Sequence, residues 1–211
     1  LIGIDRNETG IAKFRVSYPE VKVEVGDFDD FDFEGKNIDV LIHLAAMKHI
    51  DLCEQNPNSC VQNNIIKTYN LFKKAHRNGV DILFMSTDKA VEPNSVYGFT
   101  KALGERMVTE YNGSFVRSGN VTASNGSVLE IWDEAIDNQK PIAITHKDMR
   151  RYFITSENLV TRIWHQYLKG EQVIIPKMDK DIRLINLAEE KLRAYGYTLK
   201  NYPGGIEYVG L

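Results

Sequence analysis

The 211-residue chain is 43% hydrophobic and 26% charged, which supplies apolar material for a sizeable core and lacks the signature of disorder. A net charge of −3 excludes a global basic field for nucleic acid. The apolar runs, such as 40–47, are too short to cross a bilayer, so the sequence reads as cytoplasmic, with no membrane partner.

The opening residues, Leu1-Ile2-Gly3-Ile4-Asp5, resemble neither a signal peptide nor a basic leader. Short apolar runs predict strands at 1–5, 21–25, 40–46, 82–86 and 114–116. Helices are predicted between them at 9–18, 57–77 and 95–111. Strands of this kind, buried on both faces and separated by helices, point to an α/β fold with a doubly wound parallel sheet, Rossmann-like. In helix 57–77 an inward stripe is expected from Cys60, Val61, Asn64, Ile65, Thr68, Leu71, Phe72 and Ala75. Asn78-Gly79 then stops that helix. The cysteines, Cys53 and Cys60, lack metal-type spacing and fit a reducing compartment without a disulfide.

After about Asn120 the rhythm changes. Helices at 127–138, 156–169 and 186–195 flank extended pieces at 142–145 and 173–176. The expected division is therefore 1–120, a nucleotide-binding domain, and 121–211, a smaller substrate lobe. The acidic runs 27–32 and 179–181 read as solvated loops, His43 as a core imidazole, and Trp132 and Trp164 as core or interface residues.

A dinucleotide fold opens with a strand, a glycine-rich turn and a helix N-terminus that holds the pyrophosphate. The sequence contains no such turn, and its first strand ends in Asp5. An acid at a strand tip suits the second strand of such a fold. By that reading the sequence is a fragment whose sheet has a hole between the strands at 1–5 and 40–46.

Chemistry concentrates around residue 90. Tyr97 and Lys101 stand four apart on a predicted helix, so phenol and ammonium share a face. The ammonium is expected to lower the phenol's pKa and make it a proton acceptor. The spacing by itself is weak, since it recurs at Tyr18/Lys22 and Tyr69/Lys73 and chance gives about one occurrence. Position distinguishes the third pair. It follows a buried strand ending in Ser86-Thr87-Asp88-Lys89, and ligands in open α/β sheets bind at the carboxyl ends of strands. Asp88 and Lys89 there read as a proton donor and acceptor, against the alternative of a strand-end salt bridge. Lys48 and His49 also follow a strand end and are candidates for the same cleft. No metal-ligand cluster is expected.

Taken jointly, Ile42-His43-Leu44-Ala45-Ala46-Met47-Lys48-His49, Ser86-Thr87-Asp88-Lys89-Ala90, Tyr97 with Lys101, Val116-Arg117-Ser118-Gly119-Asn120-Val121, Asn125-Gly126-Ser127-Val128 and 145–153 resemble one family. It is the UDP-N-acetylglucosamine 4,6-dehydratases, a polysaccharide-biosynthesis branch of the extended short-chain dehydrogenases. The resemblance implies a lyase in which Tyr97 takes the C4 hydroxyl proton and Lys101 orients the nicotinamide ribose. It further implies Lys89 as C5 base, Asp88 as acid for the C6 hydroxyl, and Thr87 beside the C4 oxygen. Asp-Lys at this step resembles the C5-inverting branch. By the same matching, Asp5, Arg6, Asp27, Phe28, Leu44, Ala45, Ala46 and Lys48 would contact NADP or NAD, with NADP favoured because Arg6 can pair a 2′-phosphate. Lys48, His49, Asn120, Ser127, Val128, Thr145 and Arg151 would hold the UDP-sugar. Lys67 departs from the pattern, standing where a glycine is common. Self-association through helices 57–77 and 95–111 is also implied. A UDP-sugar 4-epimerase of the same fold and an inactive binding module are the competing readings. Asp88-Lys89 separates the first of these, because simple epimerisation needs neither a C5 base nor a C6 acid.

Overall fold

The computed structural model describes residues 1–122 and 128–210. It divides into two compact units, the first made of Leu1–Arg117 with Glu171–Ile174 and the second of Ser118–Gly170 with Ile175–Leu211.

The first unit is an α/β layer structure. Its strands are β1 (Ile2–Asp5), β2 (Lys22–Val25), β3 (Val40–His43), β4 (Asp81–Met85), β5 (Ser114–Val116) and β9 (Val173–Ile174). All pairings among them are parallel, but they form two blocks: β1 with β2, and β3-β4-β5-β9 in that order. Among the described residues no ladder joins β1 to β3. β9 was expected in the smaller lobe; instead it crosses back to extend the main sheet beside β5. A two-residue apolar strand has little periodicity of its own, and its partner decides where it goes.

The helices of this unit are α1 (Glu8–Ser17), α2 (Ile50–Gln55), α3 (Pro57–Val61), α4 (Thr68–Arg77) and α5 (Val96–Glu110). The core joins Leu71, Phe72 and Ala75 of α4 to Ile82 and Phe84 of β4, Phe115 of β5, and Met107 and Val108 of α5. The expected helix 57–77 runs through, but Gln62–Lys67 is π-helical. The wider turn rotates the residues before it relative to those after it. Val61 is consequently 40% exposed, against expectation, while Asn63 and Asn64 both turn inward.

The strand predicted over 40–46 ends at His43. From there the backbone leaves the ladder, and Asn64 takes over its pairing: Met47 N–H donates to Asn64 Oδ1 at 2.8 Å, and Asn64 Nδ2 donates to Met47 O at 2.9 Å. His43 is the core imidazole expected, 3% exposed, with Nε2 3.0 Å from Thr68 Oγ1. The acidic run at 27–32 is not a solvated loop. Asp27 caps the short turn Phe28–Asp30 and pairs with Lys67, and Lys74 reaches the backbone and carboxylate of Asp29.

The second unit contains β6 (Asn120–Val121), β7 (Ile142–Ile144), β8 (Arg150–Ile154), β10 (Lys180–Arg183) and β11 (Ile206–Tyr208), with α6 (Val128–Asp137), α7 (Ser156–Leu168) and α8 (Leu184–Ala194). Strand β8 is central, antiparallel to β10 and parallel to β6, while β7 pairs with β11. Its core gathers Trp132, Ile136, Ile142, Ile144, Phe153, Ala188 and Leu192. Trp164, by contrast, is 46% exposed. The run 179–181 was expected to be a loop, yet it leads into β10. Asp179 receives the Thr155 N–H at 3.0 Å and the Asn158 amide at 2.9 Å, which hold it at the start of α7. These partners keep its carboxyl below the usual range, the Asn158 hydrogen bond foremost.

Candidate active site

Strand β4 is buried through Phe84 and then delivers Ser86, Thr87, Asp88 and Lys89 at its carboxyl end. Thr87 is extended and caps the short turn Asp88–Ala90. Its hydroxyl donates to Asp88 Oδ1 at 3.0 Å. Lys89 Nζ also donates to Asp88 Oδ1, at 3.0 Å, so the expected acid and amine meet as an ion pair. That pair is part-exposed, the two side chains being 33% and 47% accessible, and contributes little to stability.

Helix α5 begins at a Ser95 cap whose hydroxyl accepts the Gly98 N–H at 3.1 Å. A Cβ on Gly98 would lie 2.7 Å from the Lys89 carbonyl oxygen, and one on Gly104 would lie 2.6 Å from the Phe84 ring. The helix can approach β4 this closely only because both positions lack side chains. Closeness brings Tyr97 and Lys101 against the strand tip.

The electrostatics differ from the sequence expectation. Burial pushes the Tyr97 phenol up to about 12, a hydrogen bond from Thr87 works in the opposite direction, and the Asp88 charge adds to the rise. Lys101 is not what lowers it. Its ammonium is 3% exposed, donates to Met85 O at 2.7 Å and sits 4.5 Å from the centre of the Phe84 ring. Burial pulls Lys101 down to about 7, while Cys60 and Glu105 favour its charged form. Perturbed groups gathered at a strand tip are the usual mark of a reactive centre. The two thiols behind it, Cys53 and Cys60, are free and buried. Burial foremost pushes the Cys53 thiol up to about 12.

A second feature of the same unit lies at the carboxyl ends of β1, β2 and β3. A cavity of about 160 Å³ is lined by Ile4, Asp5, Arg6, Gly26, Asp27, Phe28, Ala45, Ala46 and Asn63. That is below the roughly 300–1,000 Å³ of a complete small-molecule site, so it suits one end of a ligand. Asp5, Arg6, Asp27, Phe28, Ala45 and Ala46 are thus brought together, whereas Leu44, Lys48 and His49 are exposed and line no part of it. His49 flanks the start of α2 and makes no capping bond through its side chain. Arg6 Nη2 reaches Asn63 Oδ1 at 3.5 Å, and Asp5 accepts the Asn7 N–H at 2.8 Å. The Lys67 ammonium, hydrogen-bonded to Asp27, holds that carboxyl below the usual range. Asn63 is a lining residue that the helical stripe did not single out; only the π-helical turn turns it inward.

In the second unit, Asn120 of β6 pairs in register with Phe153 of β8, two residues from Arg151, and its amide donates to Tyr152 O at 3.2 Å. Arg151 bonds the Arg150 carbonyl at 3.0 Å, whereas Arg150 and Arg183 are engaged by Asp181 and Asp148. Thr145 follows β7 and Val128 opens α6. Ser127 lies outside the described residues. Among the described residues no group of acids, histidines and cysteines could hold a metal ion, and no helix is long and apolar enough to cross a membrane.

Residues 10–211 match the family model described as polysaccharide biosynthesis protein. The chain belongs to that family. It is 36% identical over 182 residues to the probable polysaccharide biosynthesis protein EpsC of Bacillus subtilis, covering 82% of this chain and 30% of that one. It is 32% identical over 178 residues to a UDP-N-acetylglucosamine 4,6-dehydratase (inverting) of Campylobacter jejuni, covering 78% and 53%. It is 30% identical over 173 residues to a UDP-glucose 4-epimerase of Rickettsia bellii, covering 76% and 51%. The chain therefore spans about half, or less, of the length of these relatives.

Among solved structures, Pen from Bacillus thuringiensis superposes with a TM-score of 0.86 at 30% identity, over 100% of this chain and 70% of that one. The dTDP-glucose 4,6-dehydratase DesIV from Streptomyces venezuelae, solved with NAD and TYD bound, gives 0.85 at 17% identity over 99% and 74%, a likeness of fold. The α/β fold with its parallel sheet is thus shared with dehydratase structures. NAD is the dinucleotide named for DesIV, and the expected preference for NADP has no support there.

Proposed function

We propose that this protein is a nucleotide-sugar 4,6-dehydratase that acts on UDP-N-acetylglucosamine and inverts C5. The observation that carries the reading is the Thr87-Asp88-Lys89 strand tip meeting the Tyr97–Lys101 helix, with Gly98 against the Lys89 carbonyl and Lys101 on the Met85 carbonyl. An oxidoreductase that only interconverts alcohol and ketone needs the phenol and its lysine. The extra acid–amine pair is what elimination of water requires.

The cavity residues fit the adenosine end of a dinucleotide: a carboxylate at a strand tip for ribose hydroxyls, an aromatic edge, two alanines and a guanidinium. Bound there, NAD(P)+ would supply the hydride chemistry, taking a hydride at sugar C4 and giving it back at C6. Asp5, Arg6, Asp27, Phe28, Ala45 and Ala46 would hold it. Leu44 and Lys48, exposed in this conformation, keep only a secondary place in that assignment.

The chain's own groups divide the proton work. Tyr97 accepts the C4 hydroxyl proton, and the Thr87 hydroxyl, which donates to Asp88 here, would turn to offer a hydrogen bond to the C4 oxygen. With its phenol held near 12, Tyr97 is a poor base until a cation arrives beside it. Lys89 takes the C5 proton and Asp88 protonates the departing C6 hydroxyl. Paired as ammonium and carboxylate they are not yet base and acid: the proton has to pass from Lys89 Nζ to Asp88, which frees the amine lone pair for the C5 proton and loads the acid for the C6 hydroxyl. In the second unit Arg151, with Asn120, Ser127, Val128 and Thr145, and His49 and Lys48 in the first, would bind the UDP-sugar; a planar guanidinium fork suits a pyrophosphate.

The test is incubation of the protein with UDP-N-acetylglucosamine and NAD+ or NADP+ in heavy water. A 4-keto-6-deoxy product carrying deuterium at C5 is expected, and Lys89→Ala should abolish C5 exchange while leaving C4 oxidation detectable. The Rickettsia relative keeps a 4-epimerase reading in play. Formation of the C4 epimer with the C6 hydroxyl retained would establish that reading instead.

A further inference from the structure

Glu105 has no part in the reaction proposed above. It is 5% exposed, in a layer where a lone carboxylate would be costly. Its charge is matched by Arg117 at the end of β5, through Nε at 3.0 Å and Nη2 at 2.6 Å. The Ser86 hydroxyl donates to the same carboxylate at 2.5 Å. Ser86 also donates its N–H to Val116 O at 2.8 Å, so the residue is pinned through side chain and backbone.

The placement of these bonds is what gives them consequence. Ser86 is the residue immediately before Thr87-Asp88-Lys89, and Glu105 is one helical turn beyond Lys101. The same face of α5 touches β4 at successive points: Gly98 over the Lys89 carbonyl, Lys101 on the Met85 carbonyl, Gly104 over the Phe84 ring, Glu105 on Ser86. The first three are a backbone approach, a charge on a carbonyl and a ring contact. Only Glu105 grips a side chain of the strand tip by a buried, charge-assisted hydrogen bond, the strong and directional kind.

We infer that Glu105, acting through Ser86 and braced by Arg117, is a positioning residue that fixes the strand-borne Thr87-Asp88-Lys89 against the helix-borne Tyr97 and Lys101. Its carboxylate also favours the ammonium form of Lys101. The other groups facing that ammonium are Cys60 from α3, His43 from β3, and the Phe84 ring and Met85 carbonyl from β4. Glu105 is the carboxylate that acts on it. This inference rests on the dehydratase reading for its kinetic consequence, and on geometry alone for the rest.

The experiment compares Ser86→Ala, Ser86→Thr and Glu105→Gln in the intact protein. Ser86→Ala leaves the Glu105–Arg117 pair whole, so it tests position without stripping a buried charge. It should lower kcat about tenfold with KM changed less than about twofold, and Ser86→Thr should restore most of the loss. Amide exchange at Thr87 and Asp88 should quicken about tenfold in Ser86→Ala, with β3 amides unchanged. In Glu105→Gln the Lys101 titration midpoint, followed by NMR of labelled lysine, should fall by about half a unit or more. An unaltered kcat and unaltered exchange in Ser86→Ala would overturn the inference, as would an unmoved Lys101 midpoint in a folded Glu105→Gln. If wild-type protein leaves UDP-N-acetylglucosamine untouched, the dehydratase reading fails, and the exchange and titration results still judge Glu105. If Glu105→Gln does not fold, Ser86→Ala decides.

Discussion

The two units bury different things. Among the described residues the first unit buries His43, Asn63, Asn64, Thr68, Ser86, Thr87, Ser95, Thr100, Lys101 and Glu105, whereas the second buries Ser118 as its one polar side chain. The core of the second is apolar around Trp132, and its charges lie at the surface in ion pairs such as Arg150 with Asp181 and Lys191 with Asp133. Buried polar groups are costly and have to be partnered, so a fold keeps them where a fixed geometry is needed. Under the proposed function, the contrast would set a unit that does the chemistry apart from one that holds the charged ligand.

The largest test of that contrast is Tyr97→Phe, which should lower turnover by about a thousandfold while substrate affinity changes little. Comparable loss from a surface change in the second unit would break the division. Next in size, Trp132→Ala removes a side chain 1% exposed and should destabilise its unit by about 3 kcal/mol. Hydrogen exchange should then rise in α6, β7 and α8 while β3–β5 keep their protection; uniform loss would mean the cores are energetically one. Arg151→Ala should raise KM for the UDP-sugar about tenfold and leave kcat within about threefold, read from steady-state kinetics. A further effect is a gradual pH dependence set by two buried groups of the first unit.

That pH dependence has a definite sign. Burial holds His43 down to about 3, so the unfolded chain binds a proton between its ordinary 6.5 and 3 that the folded chain refuses. Stability contributed by neutral His43 is therefore full above 6.5 and is lost as pH falls toward 3, by at most about 1.4 kcal/mol per pH unit. Lys101, at about 7 against 10.5, acts the same way in the alkaline window: stability rises with pH from 7 to 10.5. Lys101→Met should flatten the denaturation profile over that alkaline range, and His43→Asn over the acidic one. An unchanged slope in either variant would place the corresponding group in contact with water.

Much of the first unit was legible because its signals are local. Strand β4 is an apolar run closed by polar residues, and α5 carries its cap at Ser95. The helix 57–77 was legible as a helix, but the π-helical turn was not, because Val61 and Asn63 exchange sides through backbone geometry that a 3.6-residue period cannot encode. Strand β10 was hidden in an acidic run whose fate depends on Thr155, Asn158 and Arg162, residues about twenty positions away. At the site, the types and spacing of Tyr97, Lys101, Asp88 and Lys89 were readable. The Asp88–Lys89 ion pair was the alternative the sequence offered, but that Lys101 would turn to the Met85 carbonyl was not readable, since it follows from a helix resting on glycines against a strand. Glu105 passed unnoticed because a single glutamate on a helix reads as solvent-facing until β5 supplies Arg117.

The exposed apolar residues Val61, Ile66, Tyr69, Phe99 and Leu103 bear on the proposed self-association of these helices. Phe99→Asp should shift a dimer toward monomer in light scattering at micromolar concentration.

Tyr97, Lys101 and Glu105 stand at intervals of four along α5, one line running down a single helix. Such a line is indifferent to many substitutions on the far side of the helix but has no tolerance for a change of frame. Inserting or deleting one residue between 97 and 105 would turn everything beyond it by about 100°. Depending on where it fell, either Glu105 alone or Lys101 and Glu105 together would leave the face that carries the phenol. The far face of α5 can therefore vary in kind, whereas the span from Tyr97 to Glu105 cannot vary in number.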